Sequence, residues 1–287
     1  MPGITRKAIK MKVAFIGLGT MGLPMANNLA KEHEVTGFDI FPRETSFPFA
    51  KNYQEAIEGK DFVFSMVPKN EDVIALYDEL AKFAKPGQTF IDMSTIMGSV
   101  SSQIAGKMEA LGCQMLDAPV VKSQPAAIKG ELGIYVGGKK EVYEKALPLL
   151  RLMGSNIIYM GGHGAGCQMK ILHNALVGEI QNGVNEILGL AEALGLDLNQ
   201  VVEAFGYGGA KCFYLDTKAQ NIIHKEFPTA FSVQNMNKDV HFANDLAKEA
   251  GKDCPSLKIV QQVYEKAMEK GYAKEDFSAS YKAVNEE

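Results

Sequence analysis

The stretch KVAFIGLGTMGLPMANNL, residues 12–29, decides how the rest of the chain is read. It opens with a short apolar run, which predicts a buried strand over 12–17. Gly17-Leu18-Gly19-Thr20-Met21-Gly22 then spells G-x-G-x-x-G, and a helical pattern is predicted over 20–32. Bare, the glycine pattern is weak in a chain with 28 glycines. Set between a strand and a helix it acquires a mechanism: Gly17 allows the tight turn, Gly19 lets a pyrophosphate approach the backbone, and Gly22 lets helix and strand pack closely. Amides around Leu18, Thr20 and Met21 then face the phosphates, helped by the helix dipole.

Working outward, EVTGFD (34–39) reads as a second strand ending in Asp39, 22 residues after Gly17. An acid at that distance accepts hydrogen bonds from the adenosine ribose and repels a 2′-phosphate, which favours NAD. Arg43 keeps NADP open, because a nearby arginine can accommodate that phosphate. Further strands are predicted at 61–67, 88–94, 113–119, 132–138 and 155–161, with helices at 71–84, 99–112 and 141–152. This alternation predicts an α/β fold, a Rossmann-type doubly wound parallel sheet. GGHGAG (161–166) reads as a flexible hinge. Everything after it reads helical, including 237–251 and 256–271. The expected domains are a dinucleotide-binding domain over 1–164 and an all-α C-terminal domain over 165–287, used for substrate binding and oligomerisation.

Composition excludes several classes. The net charge of −4 over 287 residues gives no global attraction for nucleic acid or anionic membranes, so a small-molecule partner is favoured. No run of 18 or more apolar residues suits a membrane span. Residues 1–10 carry Arg6, Lys7 and Lys10 without the apolar stretch of a signal peptide, and read as a short extension. Cys113, Cys167, Cys212 and Cys254 are scattered, and no metal-ligand spacing is present, so free thiols, a cytoplasmic setting and no metal are expected.

Four segments, in order, carry a family resemblance: FIGLGTMGLPMANNL (15–29), DAPV (117–120), GHGAGCQMKILHN (162–174) and NKDVHFA (237–243). DMST (92–95) adds a fifth. With them the chain from Met11 resembles the β-hydroxyacid dehydrogenase family, which includes 3-hydroxyisobutyrate, tartronate semialdehyde and sulfolactaldehyde reductases. The resemblance implies that Lys170 is the catalytic acid/base, that Asn174 contacts substrate, and that Lys238, Val67, Pro68, Ser94 and Thr95 belong to the cofactor site. It also implies a homodimer or homotetramer built through the helical domain. The chemistry is coherent on its own terms. Hydride transfer to a carbonyl builds charge on oxygen, and a lysine whose pKa is lowered can supply the proton or take it back. Lys170 and Asn174, at i and i+4, share a helix face. His173 replaces the motif's first asparagine and lies near that face, where it can touch substrate or pack.

One departure bears on substrate. After DAPV the family usually has Ser-Gly-Gly or Ser-Gly-Ser, which grips a carboxylate. Here the loop reads Val121-Lys122-Ser123-Gln124. The cation at 122 is similar to the sulfolactaldehyde reductase branch, where an arginine meets the sulfonate. Lys122 and Ser123 are therefore expected to hold the terminal anion of a small substrate, a sulfonate or carboxylate; the alternative leaves Lys122 in solvent. Tyr207 and Phe231 are read as core packing. Two other functions compete: an imine reductase on the same fold, disfavoured because such enzymes usually carry aspartate or tyrosine in place of Lys170, and a non-catalytic nucleotide sensor, disfavoured because Lys170 and Asn174 are intact.

Overall fold

A computed structural model describes residues 10–285; the expected N-terminal extension, residues 1–9, lies outside them. The chain divides into two compact units, one ending at Lys170 and one starting at Ile171.

The first unit is built on β1 (Lys12–Ile16), β2 (Glu34–Phe38), β3 (Phe62–Ser65), β4 (Thr89–Asp92), β5 (Gln114–Asp117), β6 (Val120–Val121), β7 (Leu132–Gly138) and β8 (Gly154–Gly161). Its helices are α1 (Gly22–Ala30), α2 (Tyr53–Ile57), α3 (Asn70–Leu80), α4 (Gly98–Ala110), α5 (Gln124–Lys129) and α6 (Lys140–Leu150). β1, β3 and β4 are apolar on both faces, as a sheet covered on both sides requires. Val13 and Phe15 of β1 enter one core with α1 and α6, whereas Ala14 and Ile16 enter the other with α3 and α4. Phe15 and Phe64, in register on β1 and β3, stack at 5.9 Å between ring centroids.

β2, β1, β3, β4 and β5 lie side by side and parallel. The expected all-parallel sheet needs one correction: β7 joins β5 antiparallel, and β8 then runs parallel to β7. β6 continues β5 past Ala118-Pro119, because Asp117 pairs with Gly137, Tyr135 N–H donates to Pro119 O at 3.1 Å, and Val120 pairs with Ile134. The link from β6 to β7 holds only the short α5, and a same-direction crossover needs a longer connection. The chain therefore returns as a wide hairpin, and the expected substrate loop contains a helix.

The expected flexible hinge is also corrected. Ser102 Oγ donates to His163 O at 2.9 Å, His163 Nε2 meets Glu109 at 3.1 Å, and Gly164 N–H donates to Asp117 Oδ1 at 2.8 Å. A Cβ on Gly164 would stand 2.4 Å from Gly98 O. The glycines there serve close approach, and the turn is tied down. α7 (Ala165–Ala193) follows directly. The division falls after Lys170 and not after Gly164 because the first turn of α7 is bound to the first unit: Cys167 N–H donates to Asp117 Oδ2 at 2.9 Å, and the Cys167 side chain is buried in the sheet's core.

The second unit takes the rest of α7 with α8 (Leu198–Phe205), α9 (Phe213–His224), α10 (Val233–Glu249), α11 (Pro255–Glu269) and α12 (Ser280–Asn285). Val177, Met236, Val240, Val260 and Tyr264 form one core and Val184, Leu188, Leu215 and Ile222 a second. Buried Asp276 ties the end of the chain to α9 through Lys218 Nζ at 2.9 Å. Phe231 packs there against Phe277. Tyr207, expected in the core, is 80% exposed and donates to Glu203, so that expectation is withdrawn. The four cysteines are free, and among the described residues no helix is long and apolar enough to cross a membrane.

A polar rung crosses the C-terminal ends of the parallel strands, with Ser65, Asp92 and Asp117 in register. Ser65 Oγ and Ser94 Oγ both donate to Asp92 Oδ1 at 2.7 Å, and Asp92 Oδ2 has no hydrogen-bond partner among the described residues. Burial raises the Asp92 carboxyl from 3.8 to about 6. Its folded pKa lies above its unfolded one, so the folded state holds the proton more tightly. The charge therefore weakens the fold above pH 6, and that penalty fades as pH falls towards 3.8. Asp92→Asn is expected to gain stability over wild type at pH 7.5. About 2–3 kcal/mol of this relative gain should disappear on acidification towards pH 4. Urea unfolding at both pH values checks this; a difference that does not change with pH contradicts it.

Candidate active site

The turn from β1 to α1 shows why those glycines are needed. Gly17 has φ +87, and a Cβ there would stand 2.1 Å from Met66 O. A Cβ on Gly22 would stand 1.8 Å from Gly17 O. Gly19 differs: nothing of the protein lies within 4 Å of a Cβ placed on it. Two glycines close the turn and one faces open space, which is the arrangement a dinucleotide pyrophosphate requires. Thr20 is exposed and Met21 partly exposed beside it.

Leu18 N–H donates to Asp39 Oδ2 at 2.7 Å, and Phe41 N–H donates to Asp39 Oδ1 at 2.9 Å. The Leu18 side chain is buried, so Leu18 acts by orienting the acid. Arg43 Nε lies 3.8 Å from the same carboxylate. That carboxylate, held by two amides and still partly exposed, suits ribose hydroxyls. Ile40 and Phe41, both exposed next to Asp39, offer an apolar surface for an adenine ring. Sequence reasoning passed over them; the signal was an apolar pair directly after a strand-ending acid.

Val67 and Pro68 follow β3, with Val67 N–H donating to Ser94 Oγ at 2.9 Å. Ser94 is fully buried and its hydroxyl is spent between Val67 and Asp92. It clamps the ends of β3 and β4 together and does not offer its hydroxyl to a ligand. Thr95 beside it is partly exposed.

On the wide hairpin, Lys122 is exposed, has φ +79, and donates from Nζ to Glu131 O at 2.7 Å. Ser123 precedes α5 and makes no side-chain cap. Lys170 and Asn174 lie one turn apart on α7 and are only 8% and 5% exposed; His173 is half-buried. Asn174 Nδ2 donates to Asp239 Oδ2 at 2.5 Å. Lys238 Nζ donates to Asp239 Oδ1 at 2.8 Å and sits 4.7 Å over the Phe242 ring. Buried Asp239 therefore fixes which end of the Asn174 amide is its acceptor. The sequence reading named Lys238 and not Asp239; the K-D pair was the signal, and its partner lay 65 residues upstream.

Comparisons with known proteins match both parts of the chain. A family model described as the NAD binding domain of 6-phosphogluconate dehydrogenase matches residues 12–161. A second, described as NAD-binding of NADP-dependent 3-hydroxyisobutyrate dehydrogenase, matches residues 164–284. The mitochondrial 3-hydroxyisobutyrate dehydrogenase of Mus musculus is 32% identical over 98% of this chain and 89% of its own length. The NAD-dependent L-serine dehydrogenase of Pseudomonas aeruginosa is 31% identical, covering 94% and 97%. The solved 3-hydroxyisobutyrate dehydrogenase of Mycobacterium tuberculosis with L-serine superposes with a TM-score of 0.90 at 30% identity, covering 96% and 99%.

Gly19→Ala and Gly22→Ala should separate binding from folding. Gly19→Ala should change stability by less than about 0.5 kcal/mol and raise the Kd for NADH at least about tenfold. Gly22→Ala should destabilise by about 1–3 kcal/mol, because its methyl collides with backbone. NADH fluorescence titration and urea unfolding read the two effects; equal stability losses would contradict the assignment.

Proposed function

This chain belongs to the β-hydroxyacid dehydrogenase family, an NAD-using oxidoreductase acting on CH–OH groups, and from that premise we propose that it interconverts a small hydroxy acid bearing a terminal sulfonate or carboxylate with the corresponding semialdehyde. The observation that carries this reading is buried Lys170 one helical turn from buried Asn174, whose amide is oriented by Asp239. A bound nicotinamide dinucleotide supplies the hydride or accepts it. Lys170 donates a proton to the carbonyl oxygen in reduction and takes the hydroxyl proton in oxidation. Asn174, its amide oriented by Asp239, contacts the substrate hydroxyl. His173 lies beside this face. Lys238, held by Asp239, is assigned to the cofactor on the family resemblance alone. Asp39 favours NAD over NADP.

Lys122 and Ser123 would hold the terminal anion. The Lys122 ammonium already reaches a neutral carbonyl, and an anionic acceptor makes the stronger charge-assisted bond. A cytosolic setting, suggested by the free thiols, belongs to the same proposal.

NADH oxidation should be measured with sulfolactaldehyde, succinic semialdehyde, tartronate semialdehyde and methylmalonate semialdehyde. One of the first two should be preferred. Lys170→Ala should lower kcat by about 10²–10⁴, while Lys122→Ala should act mainly on KM, raising it about tenfold or more. An unchanged KM in Lys122→Ala removes the anion role and returns preference to the shorter semialdehydes.

We also propose a homo-oligomer. Ile187, Leu190 and Leu194 stand exposed along α7, and with Leu196 and Phe205 they line a shallow apolar groove suited to a second copy of the same face. Leu190→Glu with Leu194→Glu should shift the mass in light scattering to that of a monomer; an unchanged oligomer places the contact elsewhere.

A further inference from the structure

The DAPV segment precedes the expected substrate loop, and its acid stays within the strand. Asp117 is the last residue of β5 and is fully buried. Its two oxygens are divided between two amides: Oδ1 accepts from Gly164 N–H at 2.8 Å, and Oδ2 accepts from Cys167 N–H at 2.9 Å. Those amides belong to the residue before α7 and to its first turn, where N–H groups have no helical partner and the dipole favours negative charge.

Three glycines are cut to fit this carboxylate and its surroundings. A Cβ on Gly137, Asp117's register partner on β7, would stand 2.5 Å from Oδ1. A Cβ on Gly166 would stand 2.8 Å from Oδ2 and 2.4 Å from Tyr135 O. A Cβ on Gly164 would strike Gly98 O. The head of α7 is thus pressed against the ends of β5 and β7, with a carboxylate as the pin. Lys170 follows Gly166 by four residues and Cys167 by three, so it shares their face of the helix. Helical side chains lean towards the N-terminus, which lays the Lys170 stem over the pinned turn.

We propose that Asp117 is a positioning residue for the reaction: by fixing the first turn of α7 against the ends of β5 and β7, it sets where the Lys170 ammonium stands. This rests on the reading of Lys170 as the acid/base. A carboxylate is needed because both partners are donors. An asparagine would turn an N–H towards one of the two amides and free that side of the turn.

The test is a double-mutant cycle of Asp117→Asn and Lys170→Ala, using the most active aldehyde of the panel above, with the NADH Kd as a check on folding. Asp117→Asn is expected to lower kcat about 10- to 100-fold, to leave the NADH Kd within about threefold, and to move the midpoint of the kcat–pH profile. In the Lys170→Ala background it should lower kcat no further. An equal further loss in that background, or a lowered profile whose midpoint stays put, overturns the positioning role while leaving Lys170 as the acid/base. Wild-type kcat in Lys170→Ala overturns the acid/base reading, and the proposal falls with it. Asp117→Ser, smaller and uncharged, is the second variant should the asparagine not fold. If neither binds NADH, the carboxylate serves folding alone and the proposal is wrong.

Discussion

A carboxylate removed from water must find donors, and the first amides of a helix must find acceptors. At the head of α7 each requirement answers the other. Asp117 accepts Gly164 and Cys167 N–H groups inside the protein, and an unpaired buried charge there would cost several kcal/mol. Much else follows from this one pairing. It requires glycine at 137 and 166, where a Cβ would collide with the carboxylate. It binds the first turn of α7 to the sheet, so the division between the two units falls after Lys170. It also makes a segment with the composition of a flexible hinge into a fixed turn.

The same logic operates at the other end of the rung and at the first βα turn. Ser94 spends its hydroxyl between Val67 N–H and Asp92, and so holds the segments after β3 and β4 in fixed relation. Asp39 takes the Leu18 and Phe41 amides, which aims its carboxylate without recruiting another side chain. In each case a buried or half-buried oxygen collects backbone donors at the C-terminal edge of a parallel strand. That edge is where open α/β sheets bind ligands. Of the three glycines in the first βα turn, Gly19 is the one facing open space, so the polar groups beside it are already positioned before anything binds.

Most of the architecture was legible because it rests on local pattern. Apolar runs of strand length, helical periods between them and the glycine turn locate β1 to β5 and α1, α3 and α4 to within a few residues. Reading failed where the outcome depended on partners distant in sequence. The direction of β7 is set by a connection too short to cross over, and α5 hides in a segment read as a loop. Residues 161–166 have the composition of a hinge, and partners distant in sequence, Asp117, Ser102 and Glu109, hold them in a fixed turn. Lys170 and Asn174 were legible from a motif at helical spacing. Asp239, which orients Asn174 from another helix, was in the quoted segment, but the K-D pair alone could not link it to a partner 65 residues away.

Lys122 is where backbone cost and chemistry point the same way. At φ +79 a glycine sits without strain, whereas a residue with a Cβ pays about 1 kcal/mol. What the fold receives in return is one exposed hydrogen bond to Glu131 O, and a bond of that kind at the surface is worth about as little as the strain costs. Its ammonium forms no ion pair among the described residues that would tie the charge to the scaffold. A lysine so placed is poorly explained by stability. The proposed anionic ligand would give this cation what the carbonyl lacks, an opposite full charge and its Coulomb attraction. The strained residue keeps an exposed cation beside Ser123 that only a backbone carbonyl engages, and this is the physical ground for seeking a substrate with an anion at its far end.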